Sequence, residues 1–201
     1  MIISCTSPKG GSGKSTVSLF LSKYLAFKGY RVLLYSSDLS AVLPLERGTL
    51  NYEVSVEIQS FPEVSTLLQD VEQNKTPHTV QIVDLKDPLQ FEILEVLELS
   101  DLIVIPCPPT ALSIQSNLVF LSYLKEMELQ HKVLVLFNQC SNIRKYSQIK
   151  TMEMHLLGTV QIIKQTLPNL ALFEHIALQP ITEEEFRILE PVFSPIYCLI
   201  K

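Results

Sequence analysis

Short apolar runs alternate along the chain with stretches whose apolar residues follow a helical period. The runs are rich in branched side chains and too short for helices, which is typical of strands buried on both faces. The predicted strands are Met1–Thr6, Arg31–Ser36, Val80–Asp84, Leu102–Pro106, Val133–Asn138 and Thr159–Lys164. The predicted helices lie near residues 14–28, 62–74, 88–99, 111–129 and 145–157. Because strands that alternate with helices are joined by right-handed crossovers, we expect an α/β fold: a doubly wound, mainly parallel sheet with helices on both faces.

Three further segments carry weaker patterns. Residues Thr49–Ile58 alternate as in an additional strand. The acidic residues 183–185 predict the start of a terminal helix, since acidic side chains favour the positive end of the helix dipole. The tail from Glu190 to Lys201 mixes two prolines with apolar residues, and we expect it to pack on the body of the protein. A membrane-bound helix is the alternative, but such a helix has a basic polar face and this tail offers only Lys201.

The composition is that of a chain that folds around a large core. Of its 201 residues, 47% are apolar and 18% are charged, which excludes global disorder. This length predicts one domain over residues 1–201. The net charge of −5 excludes a strongly basic nucleic-acid binder but leaves room for a local basic patch. No apolar run is long enough to cross a bilayer, so we expect no transmembrane segment.

The cysteines and the first residues indicate a cytoplasmic protein. Cysteines stand at positions 5, 107, 140 and 198, with no CxxC pair. This scatter is typical of reduced thiols and not of a disulfide framework or a metal site. No basic segment precedes the first apolar run, which therefore predicts a strand and not an export signal.

A glycine-rich stretch between the first predicted strand and the first predicted helix carries the clearest chemistry. Residues 7–16 read Ser-Pro-Lys-Gly-Gly-Ser-Gly-Lys-Ser-Thr, in the context that a phosphate loop requires. Glycines let the backbone turn so that amide N–H groups converge on phosphate oxygens at a helix N-terminus. Lys14 supplies a cation for the β- and γ-phosphates, and the Ser15 hydroxyl is a Mg²⁺ ligand. The predicted nucleotide-binding residues of the loop are Lys9, Gly10, Gly11, Ser12, Gly13, Lys14, Ser15 and Thr16.

The loop departs from the usual phosphate-loop pattern, because Pro8 stands at its first position and Lys9 precedes the double glycine. Lys-Gly-Gly-x-Gly-Lys-Ser resembles the deviant Walker A motif of the ParA/MinD ATPases, and the compact chain is most similar to the small plasmid-type ParA proteins. The resemblance implies a P-loop NTPase fold that binds ATP and Mg²⁺ and forms a homodimer around ATP. By the same resemblance Lys9 reaches the partner's nucleotide, where a second cation stabilises charge that develops between the β- and γ-phosphates. A solvated loop lysine is the other interpretation of Lys9.

Two carboxylates follow predicted strands. The resemblance assigns Asp38 to activation of the attacking water, and Ser36 stands where the family usually has another aspartate. Asp84 ends an apolar strand in the Walker B pattern, and its carboxylate would hold Mg²⁺ through a water. Each aspartate is alternatively a cap of a turn or helix. The glycine that the family places after Asp84 is absent, which puts movement coupled to hydrolysis in doubt more than nucleotide binding.

Later residues suggest a base site and a surface for DNA. Asn138 ends a strand that resembles the one whose asparagine recognises adenine, since an amide offers both a donor and an acceptor; an asparagine that only ends the strand is as good an explanation. The cations Arg144, Lys145, Lys150 and Lys164 lie close together in sequence. Doubled in a dimer, they would bind DNA without sequence preference in a salt-sensitive way, although an ordinary solvated helix face has the same composition.

The resemblance implies a slow ATPase, stimulated by a partner protein, that partitions a plasmid or chromosome. Three rivals remain. One is a MinD-like positioning ATPase that acts on a membrane or a protein cargo. Another is a metabolic enzyme that phosphorylates or ligates a small molecule, although no second set of catalytic residues is evident. The last is a relative that binds nucleotide with little hydrolysis, suggested by Ser36 and by the missing glycine.

Overall fold

The computed structural model describes residues 1–36, 56–61, 63–140, 150, 153–154, 160–168 and 181–200. Within them the strands are β1 (Ile2–Cys5), β2 (Arg31–Ser36), β3 (Val56–Ser60), β4 (Thr79–Asp84), β5 (Leu102–Cys107), β6 (Val133–Cys140) and β7 (Gln161–Pro168). The helices are α1 (Lys14–Phe27), α2 (Val64–Gln73), α3 (Phe91–Leu99), α4 (Ala111–Glu126) and α5 (Glu183–Ile200), with a 3₁₀ turn at Gln130–Lys132.

The strands form one parallel sheet in the order β3-β2-β4-β1-β5-β6-β7. The first strand lies at the centre, between β4 and β5, so the chain crosses from one half of the sheet to the other around it. In open α/β sheets, ligands bind beyond the carboxyl ends of the strands at such a crossing point. The register sets Cys5 and Ser36 each beside Asp84, so the ends of three strands meet there.

The helices cover both faces of the sheet. Alternate residues of a strand point to opposite faces, and the two core layers divide accordingly: Ile3 and Leu34 pack with α1 and α5, whereas Ile2 and Leu33 pack with α2, α3 and α4. Nearly all residues of the central strands are buried, as the continuous apolar runs predicted. The predicted fold class, a doubly wound parallel sheet with helices on both faces, is confirmed.

Several predicted bounds were wrong or lie outside the described residues. The last strand, predicted as Thr159–Lys164, runs Gln161–Pro168 because its pairing with β6 continues through two register shifts. The helix predicted to reach 129 ends at Glu126, and Glu128 nearby adopts a positive φ of 60°. Of the predicted strand Thr49–Ile58, residues 56–58 belong to β3 and 49–55 lie outside the description. Of the helix near 145–157, only residues 150 and 153–154 are described, and they are helical.

The C-terminal helix packs on the body, as predicted. It begins with a capping box, in which the Thr182 hydroxyl accepts from the Glu185 N–H at 3.2 Å and the Glu185 carboxylate accepts from the Thr182 N–H. It then continues through Pro191 and Pro195, each of which removes a helical hydrogen bond. Burial of apolar side chains such as Phe193 offsets that loss. None of the described helices has the length and hydropathy needed to cross a membrane.

Candidate functional site

Within the described part of the chain, the start of α1 has no capping side chain. Gly13 caps α1 with φ +85° and makes no side-chain hydrogen bond, and the first turn holds no acidic residue. Free helical N–H groups and the positive end of the dipole together favour an anion. A Cβ added to Gly10 or Gly11 would meet no heavy atom within 4 Å, so one side of the loop faces open space. This geometry is that of a phosphate cradle.

Lys14 begins α1 and lies half-buried over the loop. Its Nζ donates to the Lys9 carbonyl at 3.2 Å. Burial lowers the pKa of Lys14, and the nearby carboxylates of Asp84 and Asp87 oppose that shift. The Lys14 ammonium is therefore bonded to the loop and lies near enough to the carboxylates of Asp84 and Asp87 to interact with them electrostatically. Asp87 was not among the predicted site residues, although it follows Asp84 by three positions.

Asp84 ends β4 as predicted and is 3% exposed. Its Oδ2 accepts from the Ser36 hydroxyl at 3.1 Å across the strand pair. A second carboxylate at position 36 would repel Asp84, whereas the serine donates to it. Cys5, the other strand neighbour of Asp84, is fully buried, and desolvation raises the pKa of its thiol to about 12. That thiol is a packing group and not a nucleophile.

The end of β6 reaches the same loop. Asn138 Nδ2 donates to the Ser12 carbonyl at 2.9 Å, and Gln139 Nε2 donates to the Gly11 carbonyl at 3.0 Å. By sequence, Asn138 was predicted either to recognise adenine or only to end the strand; Gln139 was not predicted, and its only signal is that it follows Asn138. In this structure Asn138 is bonded to the phosphate loop, and its role toward adenine stays a prediction.

The structure brings most of the predicted site residues together and leaves some aside. The loop residues 9–16, Asp84 and Asn138 lie at the carboxyl ends of β1, β4 and β6, which open on the same edge of the parallel sheet. Asp38, Arg144 and Lys145 lie outside the described residues. Lys150 is helical and exposed, and Lys164 belongs to the edge strand β7. Together these cations form no described surface, so the DNA interface stays a prediction.

The donor set fits the implied group. Mg²⁺ prefers hard oxygen ligands and is usually held by one or two protein oxygens together with phosphates. Ser15, in the first turn of α1, carries such an oxygen, as does Asp84. The open side of the loop, its uncapped amides and Lys14 fit a polyphosphate tail. Ser15 and Asp84 would then hold the metal, and the loop residues would hold the phosphates.

Comparison with known proteins supports this interpretation of the site. Residues 3–178 match the family described as the CobQ/CobB/MinD/ParA nucleotide binding domain. Among curated proteins, Protein ParA of Rhizobium radiobacter is 28% identical over 111 residues, which are 55% of this chain and 50% of the relative. This chain thus matches about half the length of that relative.

Solved structures share the whole fold. A protein assigned to plasmid partition from Borrelia burgdorferi B31, bound to AMPPNP, aligns with a TM-score of 0.74 at 16% identity over 98% of each chain. MinD of Aquifex aeolicus, in complex with MinC, gives 0.76 at 19% identity over 98% of this chain and 95% of the other. MinD of Pyrococcus horikoshii OT3, complexed with Mg-ADP, gives 0.72 at 16% identity over 100% and 98%. The family match covers most of this chain, which therefore belongs to the CobQ/CobB/MinD/ParA nucleotide-binding family.

Proposed function

We propose, from this family membership and the geometry of the site, that the chain is a Mg²⁺–ATP-dependent ATPase that dimerises around ATP and partitions DNA. The observation that carries the proposal is the placement of Lys14 at an uncapped helix N-terminus and near the carboxylates of Asp84, which ends β4, and Asp87. That arrangement binds a triphosphate at one end and a metal at the other. The whole of residues 1–201 would act as one ATPase domain.

Each residue then has a defined task. The amides of residues 10–14 bind the phosphates, and Lys14 neutralises their charge. Ser15 and Asp84 hold Mg²⁺, which supplies charge neutralisation between the β- and γ-phosphates. Lys9 would extend to the nucleotide of the second subunit, and Asp38 would orient the attacking water. Because Lys9 completes the partner's site, hydrolysis would depend on dimerisation.

DNA is the proposed surface on which the dimer acts, with a partner protein that stimulates hydrolysis. Two of the similar proteins support this, one named ParA and one assigned to plasmid partition. The cations Arg144, Lys145, Lys150 and Lys164 are the proposed contacts. Because phosphate contacts release counterions, binding by this surface would weaken steeply as salt rises.

One experiment tests both parts of the proposal. The protein is sized by light scattering with ADP, with ATP and with a nonhydrolysable ATP analogue, each with and without linear DNA at low salt. We expect a dimer with ATP or the analogue that is retained on DNA and released by salt. ATP turnover should be lost in Lys14→Ala and in Asp38→Ala. A monomer under all nucleotide conditions would refute the dimer, and a dimer that ignores DNA would refute the partition role alone.

A MinD-like positioning role is the second candidate, favoured by the fold likeness to MinD of Aquifex aeolicus. It predicts ATP-dependent co-sedimentation with anionic liposomes and no retention on DNA. A relative with little hydrolysis is the third, favoured by the hydrogen bond from Ser36 to Asp84 in place of a pair of acids. Turnover that is absent in the wild type despite ATP binding would establish it.

A further inference from the structure

Two neighbouring residues at the end of β6 both reach the phosphate loop. Consecutive strand residues normally point to opposite faces, so this requires a distorted strand. Gln139 has a φ of +57°, and the pairing of β6 with β7 shifts register on both sides of Asn138. Irregularities of this kind re-aim side chains and often lie near functional sites. Here the distortion directs both amide side chains at one loop.

Two hydrogen bonds connect the end of β6 to the loop, and a third lies within the end of β6 itself. Besides the bonds from Asn138 Nδ2 to the Ser12 carbonyl and from Gln139 Nε2 to the Gly11 carbonyl, Asn138 Oδ1 accepts from the Gln139 N–H at 2.8 Å. This last bond fixes the orientation of the Asn138 amide, so that its NH₂ group faces the loop. Gly13 completes the fit, because a Cβ there would collide with Asn138 Nδ2.

The bonds to the carbonyls determine where the amides point. In a trans peptide unit the C=O and N–H bonds are antiparallel. The carbonyl of Gly11 shares a peptide plane with the N–H of Ser12, and that of Ser12 shares one with the N–H of Gly13. Because both carbonyls are held toward β6, both N–H groups point away from β6, to the other side of the loop. Neither Asn138 nor Gln139 needs to touch a phosphate to have this effect.

We propose that Asn138 and Gln139, here called the β6 clamp, are positioning residues that preorganise the amides of the anion cradle. The inference rests on the proposed function, since it assumes that the loop binds phosphates. It goes beyond adenine recognition by Asn138, because a loop that is ordered by the clamp would bind any polyphosphate more tightly, including one that has no base. Preorganisation raises affinity by lowering the entropic cost of ordering the loop on binding.

The test compares ATP with inorganic tripolyphosphate, which has neither base nor ribose, by calorimetry with Mg²⁺. The informative variant is Gln139→Gly, which removes the amide while suiting the positive φ, so that folding is preserved. Asn138→Ala is the second variant, and Gln69→Ala, at an exposed position of α2, is the control. We expect each clamp variant to lower the affinity for ATP and for tripolyphosphate by a similar factor, about fivefold to tenfold for one lost hydrogen bond. The control should bind both as the wild type does.

A ligand-free measurement separates failure of the clamp from failure of the proposed function. In the unliganded protein, ¹⁵N order parameters of the Ser12 and Gly13 amides should fall in Gln139→Gly and stay unchanged in Gln69→Ala. If Gln139→Gly binds tripolyphosphate as tightly as the wild type does, the inference is overturned. It is also overturned if Asn138→Ala loses affinity for ATP but not for tripolyphosphate. Should the wild type bind neither ligand, the proposed function fails, and the order parameters alone decide: unchanged values overturn the clamp and lower values support it.

Discussion

Helix α1 is built differently at its two ends. At its start, Gly13 offers no capping side chain, and the first turn carries no acid. At its end, Gly29 adopts φ +91° and closes a Schellman motif: its N–H donates to the Ala26 carbonyl at 2.9 Å, and the Tyr30 N–H donates to the Leu25 carbonyl at 3.1 Å. The first end leaves backbone groups for a ligand, and the second satisfies them within the chain.

Side chains extend the contrast. Beyond the end of α1, Lys28 Nζ lies 4.8 Å from the ring centre of Phe186, 5.0 Å from Tyr197 and 5.6 Å from Tyr24. It also pairs with Glu190 at 3.1 Å. Burial and a 2.7 Å hydrogen bond to Glu190 raise the pKa of Tyr24, so its hydroxyl remains a donor. This cluster anchors α1 to α5 by cation–π, ionic and aromatic contacts.

The difference separates binding from stability along a single helix. Under the proposed function, groups at the first end of α1 bind an anion, and we expect them to contribute little to folding. Groups at the second end contribute to folding and lie far along the helix from the loop. Variants at one end of α1 should therefore change either ligand affinity or stability and leave the other property unchanged.

The largest loss of stability is expected from the core beneath the second end. Phe193 is fully buried and packs against Tyr24 with ring centres 5.7 Å apart. Phe193→Ala should lower the free energy of unfolding by about 3–5 kcal/mol through lost burial and a cavity, as measured by urea denaturation. The matched control is Phe91→Ala, because Phe91 is 80% exposed. Equal losses in the two variants would contradict the assigned packing.

The largest loss of binding is expected at the first end. Lys14→Ala should weaken the binding of ATP by about 2–3 kcal/mol, which is on the order of a hundredfold in affinity, because the variant lacks a charge-assisted contact to phosphate. The melting temperature of the variant should not fall below that of the wild type. Burial disfavours the charged form of Lys14 in the unliganded protein, as its lowered pKa indicates, so removal of the charge should not destabilise the fold. Calorimetry and thermal unfolding measure the two effects, with exposed Lys75→Ala as the control. A stability loss as large as the binding loss would break the separation.

A buried cation between the two ends makes stability depend on pH. Burial lowers the pKa of Lys23 to about 8, and nearby Glu185 opposes that shift. Below pH 8 the lysine is charged in both states, and the penalty for burying the charge is complete. Between about pH 8 and the unfolded value of 10.5, the folded state releases the proton first and the penalty is relieved. Lys23→Met should thus be more stable than the wild type at pH 7, by on the order of 1–3 kcal/mol.

The test of Lys23 is the difference between variant and wild type, because other groups titrate in both proteins. Urea denaturation at pH 7 and at pH 9.5 should show the stability gap narrowing as pH rises. Lys125→Met, at an exposed position of α4, should show no such change. If the stability difference between Lys23→Met and the wild type instead widens as pH rises, the pKa of Lys23 is not lowered in the folded state.

The smallest effect is expected at the Schellman glycine. A Cβ added to Gly29 meets no heavy atom within 4 Å, so only the positive φ opposes alanine there. Gly29→Ala should cost about 1 kcal/mol of stability without changing ATP affinity. Gly10→Ala is the matched control for stability, since Gly10 has equal space and no positive φ. Comparable stability in the two variants would show that φ at Gly29 is not the constraint.

Prediction from sequence succeeded where the signal is local. Short apolar runs predicted the strands, their alternation with helical stretches predicted helices on both faces of the sheet, and the glycine-rich stretch lies between β1 and α1 as predicted. The terminal helix was predicted to begin at residues 183–185, and it does. Its course through Pro191 and Pro195 was not predictable, because both residues oppose a helix locally and only the burial of their neighbours favours it.

The sequence by itself determined the class of fold, the glycine-rich loop before α1 and the position of Asp84 at the end of a strand, because each follows from the periodicity or spacing of residues that are close together in the chain. Tertiary structure alone decided which distant groups meet: Gln139 with Gly11, 128 positions apart, and Tyr24 with Glu190, 166 positions apart. The first pairing follows from the order of strands in the sheet and from the distortion at the end of β6, and the second follows from the packing of α5 beside α1 on one face of the sheet. Neither is predictable from the residues nearby, because a long-range contact requires only that two side chains fit once the strands and helices are in place.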